Sequence, residues 1–183
     1  MGAPKAALRI GGATFIARVI DGLAAARLDP IVVVAGAHRE AVTEALPGRD
    51  HVRVIVNRAP ERGQLSSLKV GLEELLMTAP NVAGVVVALV DHAMVTRATV
   101  AALVHAARED PAPIIVPSYA GRRGHPIVFM RPVWAELLAT PDSDSARAVV
   151  RRDATRVREV PVDDLGVVRD FDTPEDLMVA PHG

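Results

Sequence analysis

Residues 82–91 read VAGVVVALVD, and this stretch decides the fold class. Val82 to Val90 is the longest apolar run in the chain, and the acid Asp91 ends it. An apolar run without alternation is typical of a strand buried on both faces of a parallel sheet. Ligands bind at the carboxyl ends of such strands, so Asp91 lies where a ligand is expected. A carboxylate there is suited to hold Mg²⁺ on the phosphates of a nucleotide; capping of a strand-to-helix loop is an equally good alternative.

Strands and helices alternate along the remainder of the chain. Further strands are predicted at residues 31–36, 52–57, 114–116, 127–129 and 157–162. Helices are predicted at 13–27, 66–77, 96–108, 132–139, 145–152 and from Thr173 onward, with Thr96 as the N-cap of the helix 96–108. Half of the residues are hydrophobic but only three are Phe, so Val, Ile, Leu and Ala must build the core. We therefore predict one domain, residues 1–183, of the α/β class: a three-layer, doubly wound, mostly parallel sheet.

Composition excludes several classes of function. The net charge of −1 does not indicate a nucleic-acid surface. The absence of cysteine excludes disulfides, thiolate metal sites and cysteine nucleophiles, and it is typical of a reducing cytoplasm. The first residues have no apolar signal core, and the run that ends at Val90 is far shorter than a membrane span. We expect a soluble cytoplasmic protein without nucleic-acid or membrane partners.

Acids and basic residues near predicted strand ends are candidates for a phosphate site. Asp170 and Asp172 share a face of the extended segment VRDFDTPED, residues 168–176, so one of them could supply a second carboxylate to a cation. Helix capping is the favoured alternative, because acids stabilise helix N-termini. The loop RRGHP, residues 122–126, carries guanidinium groups that can bind phosphate, although a solvated hairpin is the favoured alternative.

Two further segments could contact a nucleotide. Lys5 follows Gly2-Ala3-Pro4 and could neutralise phosphates, although a terminal lysine is ordinarily just exposed. The segment GQLSSL, residues 63–68, leads into a helix whose free N–H groups and hydroxyls could grip a base or ribose, or simply form a serine cap. The sequence contains no G-x-S-x-G elbow, no Walker A motif and no histidine pair at metal-ligand spacing.

Taken in order, five of these segments resemble the MobA-like NTP transferases, and most closely the molybdenum cofactor cytidylyltransferase branch. They are MGAPK, GQLSSL, VDHA, RGHP and DFDTPED, which begin at residues 1, 63, 90, 123 and 170. The resemblance covers essentially the whole chain. It implies that a phosphate of the acceptor attacks the α-phosphorus of a nucleoside triphosphate and that pyrophosphate leaves, with Mg²⁺ as the cofactor.

The resemblance also implies a role for individual residues. Asp91 and Asp172 would hold Mg²⁺, and Lys5 would contact phosphate as a second catalytic residue beside Asp91. The nucleoside would meet Gln64, Ser66 and Ser67, and the acceptor would meet Arg123 and His125. The implied partners are a nucleoside triphosphate, with CTP favoured over GTP or ATP, a molybdopterin-type acceptor, and a molybdoenzyme or its chaperone.

The chain departs from the family pattern in two places. The family carries a strand and a glycine-rich L-A-A-G loop before M-G-x-P-K, whereas this sequence starts at that Met. The glycine and proline of the family's G-D-x-P are Val90 and Ala93 here. We therefore expect little or no turnover by this 183-residue chain. Two alternatives are a degenerate relative that binds a nucleotide, pterin or protein without catalysis, and a start codon assigned to an internal Met, which the upstream DNA would reveal.

Overall fold

The computed structural model describes residues 5–46 and 52–170. The helices are α1 (Phe15–Ala25), α2 (Arg39–Glu44), α3 (Gln64–Thr78), α4 (Arg97–Glu109), α5 (Arg131–Ala139) and α6 (Ala146–Arg152). The strands are β1 (Arg9–Ile10), β2 (Ala13–Thr14), β3 (Ile31–Ala35), β4 (Val52–Val56), β5 (Gly84–Val87), β6 (Ile114–Tyr119), β7 (Arg122–Arg123), β8 (Ile127–Met130) and β9 (Val157–Pro161). Short 3₁₀ turns include Lys5–Ala7, Val90–His92 and Leu165–Val167. The predicted helix after Thr173 lies outside the described residues.

The strands form a mixed sheet system, and the predicted α/β class is confirmed. β3 and β4 are parallel. A second sheet has the order β5-β8-β6-β7, and β9 pairs parallel with β6 on its other side. β8 runs antiparallel to both β5 and β6, because a short hairpin joins it to β6 and leaves no room for a crossover helix. The sheet is therefore less parallel than the sequence pattern indicates.

The apolar run 82–90 forms a shorter strand than its sequence predicts. Only Gly84–Val87 is paired, and its four residues match the four residues of β8, Ile127–Met130. Beyond this ladder the chain turns, and Val90–His92 forms a 3₁₀ turn that carries Asp91 away from the strand. An apolar run alone does not show where a strand ends, because the partner strand decides how many residues are paired.

Helix starts follow the expected capping chemistry. Thr96 is the N-cap of α4, as predicted, and its hydroxyl accepts a hydrogen bond from Thr99 N at 3.2 Å. Thr14 caps α1 in the same way by accepting from Ala17 N at 3.3 Å. Helix α3 begins at Gln64 without a side-chain cap, directly after Gly63, whose φ of 91° lies in the region open to glycine. Among the described residues, no helix is long and apolar enough to span a membrane.

The buried side chains form two main clusters, and strand β3 contributes residues to both of them. The larger one joins α3, α5 and α6 to β6 and β8, and it contains Trp134, whose indole donates to Phe129 O at 3.0 Å. The smaller one joins α1 and α2 to β3 and includes Ala6, Ile20 and Ile31. Burial of each large apolar side chain contributes about 1.5–3 kcal/mol, so the larger cluster holds most of the stabilisation.

Candidate functional site

Asp91 lies just beyond β5, in the turn Val90–His92, at the end of the sheet where ligands bind in α/β folds. Its Oδ1 atom is buried and has no hydrogen-bond partner among the described residues. A buried polar atom without a partner costs about 1–3 kcal/mol, so this oxygen is available to an ion, a ligand or a water molecule. The neighbouring Val90 packs against the small cluster around Ala6 and against the cluster that contains Phe15.

The next residue, His92, contacts the segment 166–170, which lies at the end of the described residues. Its Nδ1 lies 3.0 Å from Gly166 O, and its Nε2 lies 3.0 Å from Asp170 Oδ1. The ring is 7% exposed, whereas the Asp170 side chain is 62% exposed. Both ring nitrogens thus face acceptor oxygens, and His92 links the segment 166–170 to the turn that carries Asp91.

His125 completes this group. Its ring centroid lies 5.1 Å from that of His92, and its backbone N–H donates to Val167 O at 2.8 Å. Burial, followed by the field of His92, lowers the pKa of His125 from 6.5 to about 4, although Asp91 and Asp170 oppose the change. At neutral pH the ring is therefore uncharged. Its Nδ1 is buried and has no hydrogen-bond partner among the described residues.

A buried carboxylate that sequence analysis missed holds this arrangement together. Asp164 accepts hydrogen bonds from Thr96 N, Thr96 Oγ1 and Thr99 Oγ1 at 2.8, 2.9 and 2.6 Å, and from Gly166 N at 2.9 Å. These contacts fix the segment 164–170 to the start of α4. The segment can then present Asp170 to His92. The only local signal is an acid two residues before a glycine.

Two glycines permit this close packing. A Cβ on Gly124 would overlap the carbonyl of Val167, and a Cβ on Gly166 would come within 2.8 Å of the Met94 carbonyl. Gly124 therefore lets the loop that carries His125 lie directly against the segment 164–170. This gives a physical reason for the glycine of the RGHP motif: it allows backbone contact, in addition to any role in ligand binding.

The residues predicted to contact the nucleoside lie at the same end of the fold, but their side chains are not equally accessible to a ligand. Gln64 and Ser67 line one cavity together with Asp91 and His125. The hydroxyl of Ser66 is bound internally, since it donates to Gly63 O at 2.7 Å and accepts from Asn57 Nδ2 at 2.8 Å. Asn57 Nδ2 also donates to Ser67 Oγ at 3.0 Å. Asn57, another residue that sequence analysis missed, thus orders this loop from the end of β4.

The other candidate residues that the structure describes do not line this cavity. Arg123 is exposed, donates from Nε to Glu159 Oε1 at 2.7 Å, and does not line the cavity. Lys5 is exposed in a 3₁₀ turn that packs against α1 and against the turn of Asp91. Asp172 lies outside the described residues. Arg147, which sequence analysis missed, is an exposed cation whose field acts on His125.

The described residues include no cluster of three or more acids and histidines arranged to hold a metal ion. Asp91 has the chemistry that a hard divalent cation prefers, because its buried carboxylate oxygen is unpartnered. Asp170 is the other carboxylate in this group, and its field reaches His125 as that of Asp91 does. Asp91 therefore suits the role of one ligand of such an ion. Asp170 and Asp172 are the candidates for a second ligand.

The chain is similar to known proteins over nearly its whole length. Residues 1–160 match the MobA-like NTP transferase domain. The structure of Rv0371c from Mycobacterium tuberculosis H37Rv has a TM-score of 0.83 and 29% identity, and the match covers 97% of this chain and 88% of that one. The manganese complex of Rv0371c has a TM-score of 0.80 and 29% identity, with 97% and 91% covered.

A more distant structure shares the fold. CMP:2-keto-3-deoxy-manno-octonic acid synthetase complexed with CTP has a TM-score of 0.71 at 16% identity, with 95% of this chain and 88% of that chain covered. No curated protein matches the sequence significantly. The family match covers most of the chain, and the cavity is lined by His125 and by Asp91, whose buried Oδ1 has no partner among the described residues. The protein belongs to the MobA-like NTP transferase family of nucleotidyltransferases.

Proposed function

We propose that this nucleotidyltransferase transfers CMP from CTP to a phosphorylated, molybdopterin-type acceptor. The observation that carries the proposal is the buried, unpartnered carboxylate oxygen of Asp91 in the cavity that Gln64, Ser67 and His125 also line. The choice of CTP and of the acceptor rests on the motifs RGHP and DFDTPED. Fold likeness to a synthetase complexed with CTP is compatible with that choice.

The nucleoside of the bound CTP would lie at the start of α3. Gly63 leaves the first N–H groups of this helix without a side-chain cap, so they are free to donate to a ribose or base. Gln64 is exposed there and Ser67 is half-buried. Ser66 supports the loop through its bonds to Gly63 and Asn57, so its contribution to binding would be indirect.

Asp91, together with Asp172, would hold Mg²⁺ on the triphosphate, and Asp170 is the alternative to Asp172. The manganese complex of Rv0371c supports a divalent ion in a related protein. When bound, such an ion offsets the negative charge that builds up on the phosphates. Lys5, in the turn that packs against the turn of Asp91, would add positive charge on the same side.

The acceptor would approach from the side of the site that carries His92 and His125. One of its phosphate oxygens forms a bond to the α-phosphorus, and the bond from that phosphorus to the bridging oxygen breaks, so pyrophosphate leaves. The nearby Arg147 would supply positive charge, while neutral His125 can accept or donate one hydrogen bond. Arg123 would meet the acceptor only at the outer edge, because it is paired with Glu159.

Substitution of Asp91 tests the proposal. Asp91→Asn keeps the shape of the side chain but removes its charge, and we expect affinity for CTP with Mg²⁺ to fall at least about 10-fold. In the chain extended at its amino end by the family's glycine-rich L-A-A-G segment, the same substitution should lower pyrophosphate release in the presence of molybdopterin by about 100-fold or more. Asp110→Asn is the matched control, because Asp110 is 81% exposed and pairs with Arg158.

The measurements are calorimetric binding of CTP, GTP and ATP and a pyrophosphate-release assay. Equal CTP affinity in Asp91→Asn and the parent would contradict the proposed site, and preference for GTP or ATP would contradict the proposed nucleotide. Binding of a nucleotide, pterin or protein without catalysis is the second candidate function. It is favoured by the cavity, which extends from Asp91 to the space between β3 and β5. CTP binding without turnover, both in this chain and in the chain extended by the L-A-A-G segment, would favour that candidate.

A further inference from the structure

A partly buried ion pair joins helix α3 to the loop that follows α5. The Lys69 side chain is 17% exposed, and its Nζ donates to Asp142 Oδ1 at 2.7 Å and to Thr140 O at 2.5 Å. Thr140 is the C-cap of α5, so the ammonium group also lies at the negative end of that helix. The hydrogen bond from Lys69 keeps the pKa of Asp142 below its usual range, so this carboxyl is ionised at neutral pH.

Asp142 also contacts a second cation from the same part of the chain. Its Oδ2 lies 3.5 Å from Arg62 NH1. Arg62 and Lys69 flank the segment 63–68, which carries Gln64 and the other residues proposed to contact the nucleoside. One carboxylate therefore holds both ends of the nucleoside segment, although 73 residues separate it from Lys69 in the sequence.

The loop that contains Asp142 leads to the edge of the cavity. Residues 140–145 join α5 to α6, and a hydrogen bond from Asp144 N to Pro141 O at 3.0 Å closes a turn within them. Ala146, the first residue of α6, lines the cavity together with Asp91. The position of this loop therefore determines where α6 begins relative to the candidate site.

Arg147 follows directly and is an exposed cation. Burial is the main cause of the low pKa of His125, and the charge of Arg147 adds to it, so the guanidinium group lies within electrostatic reach of this ring. Arg147 forms no hydrogen bond or ion pair with another of the residues that the structure describes. A guanidinium group binds phosphate through two parallel N–H donors, so Arg147 has the chemistry of a phosphate ligand.

Apolar packing holds α6 but not the loop before it. Val149 and Val150 of α6 are buried in the larger cluster. Within residues 141–145, in contrast, Asp142 is half-buried and the other four residues are exposed. A partly buried ion pair adds little net stability, because the loss of hydration offsets the attraction between the charges. Its directional hydrogen bonds nevertheless favour one position of the loop, so the main consequence of this pair is geometric.

We propose that Lys69 and Asp142 are positioning residues: they hold the loop 140–145 against α3 and thereby place the Arg147 guanidinium group at the cavity edge, where it binds a phosphate group of the acceptor. The inference deepens the proposed function and rests on it for the identity of this anion. Because the same carboxylate holds the nucleoside segment, one loop would align both substrates.

Titration with inorganic phosphate tests the role of Arg147 without any nucleotide. The ring protons of His125 report binding by NMR, and chloride keeps the ionic strength constant. We expect a saturable change in the parent protein, and Arg147→Gln should weaken phosphate binding at least about 5-fold. Arg151→Gln is the matched control, because Arg151 is exposed on the same helix, and it should stay within about 2-fold of the parent.

Substitution of Lys69 tests whether its effect passes through Arg147. Lys69→Met should weaken phosphate binding at least about 3-fold, and Lys69→Arg should restore it to within about 2-fold, because a guanidinium group can donate to both acceptors. In the Arg147→Gln background, Lys69→Met should change the affinity by less than about 1.5-fold. A merely structural role would weaken phosphate binding by the same factor in both backgrounds.

Asp142→Asn tests the pair from the other side, leaves α3 unaltered, and replaces Lys69→Met if that variant does not fold. Removal of a negative charge near an anion site should by itself strengthen phosphate binding. Loss of positioning has the opposite sign, and we expect phosphate binding to weaken at least about 2-fold. Asp144→Asn, at an exposed acid in the same loop, is the control and should leave the affinity unchanged or raise it slightly.

Two kinds of result would overturn the inference. Equal phosphate affinity in Arg147→Gln and the parent, or no saturable change at His125 in the parent, would show that Arg147 binds no phosphate. Tighter binding in Asp142→Asn, or the same effect of Lys69→Met with and without Arg147, would show that the pair does not position it. A protein that binds phosphate through Arg147 but transfers no CMP would contradict the proposed function and leave this inference intact.

Discussion

His125 shows how burial sets the charge of one residue in the site. Burial and the neighbouring His92 lower its pKa from 6.5 to about 4, so the folded protein keeps this ring neutral in a range where the unfolded chain protonates it. Between these two values the unfolded state binds one more proton than the folded state. Stability therefore decreases as the pH falls through this window and does not change above it on account of His125.

This difference predicts the pH dependence of unfolding. The lowering of the His125 pKa decreases the free energy of unfolding by about 3 kcal/mol between neutral pH and pH 4. In His125→Gln this component should be absent, so stability should fall less steeply with acid. Denaturant unfolding at a series of pH values measures it, with His105→Gln, an exposed histidine on α4, as the control. Parallel curves for His125→Gln and the parent would contradict the prediction.

Asp164 acts at the residue scale as an anchor. Its carboxylate accepts from Thr96, Thr99 and Gly166, so Asp164→Ala leaves buried donors without a partner. We expect a loss of about 2–4 kcal/mol in unfolding free energy, measured by denaturant titration. Asp163→Ala, at the exposed neighbouring position, should stay within about 0.5 kcal/mol of the parent. A loss of less than about 1 kcal/mol in Asp164→Ala would indicate that the segment 164–170 is held by other contacts.

At the scale of elements, the loop between β7 and β8 and the segment 164–170 form one packed unit. Gly124 permits this contact, because any Cβ there would overlap the Val167 carbonyl. We predict that Gly124→Ala separates the two segments and moves His125 away from His92. The expected cost is about 1–3 kcal/mol, in the range of overpacking substitutions, and CTP affinity should fall as well.

Gly22→Ala in helix α1 is the control for this substitution. A Cβ at Gly22 meets no atom within 4 Å, and alanine favours a helix. It should leave stability unchanged or raise it by about 0.5–1 kcal/mol. Calorimetric unfolding of both variants and CTP titration provide the comparison. An unaltered Gly124→Ala protein would show that the two segments can separate at little cost in free energy.

At the scale of the whole molecule, the two main clusters of buried side chains differ in size. The larger cluster contains Trp134, Phe129 and Ile114, and the sheet that it covers includes β6 and β8. The smaller cluster rests on the two-stranded ladder of β3 and β4. A two-stranded sheet is marginal without further strands, so its local stability should be lower.

We therefore predict two levels of protection against hydrogen exchange. In the 183-residue chain, amides of β6 and β8 should exchange at least about 10-fold more slowly than those of β3 and β4. Trp134 fluorescence should report the later of two unfolding steps in denaturant, because this side chain lies in the larger cluster. One common exchange rate, together with a single transition seen by all probes, would contradict this division.

The amino-acid sequence by itself determined the α/β class, most element positions, the N-cap at Thr96 and the family. Each of these depends on local order: apolar periodicity, capping residues and short motifs lie within a few positions of one another along the chain. The position of Asp91 after an apolar strand belongs to this class too. The assignments of Mg²⁺ ligands and of nucleotide and acceptor contacts remain predictions.

Only the tertiary structure decided which distant residues meet. The pairing of His92 with Asp170, the anchoring of Asp164 on α4 and the bond of Arg123 to Glu159 join segments far apart in sequence. The antiparallel position of β8 and the cavity between β3 and β5 likewise depend on how sheets and helices pack. Such contacts reflect the balance of burial and backbone pairing over the whole chain, and no local pattern encodes that balance.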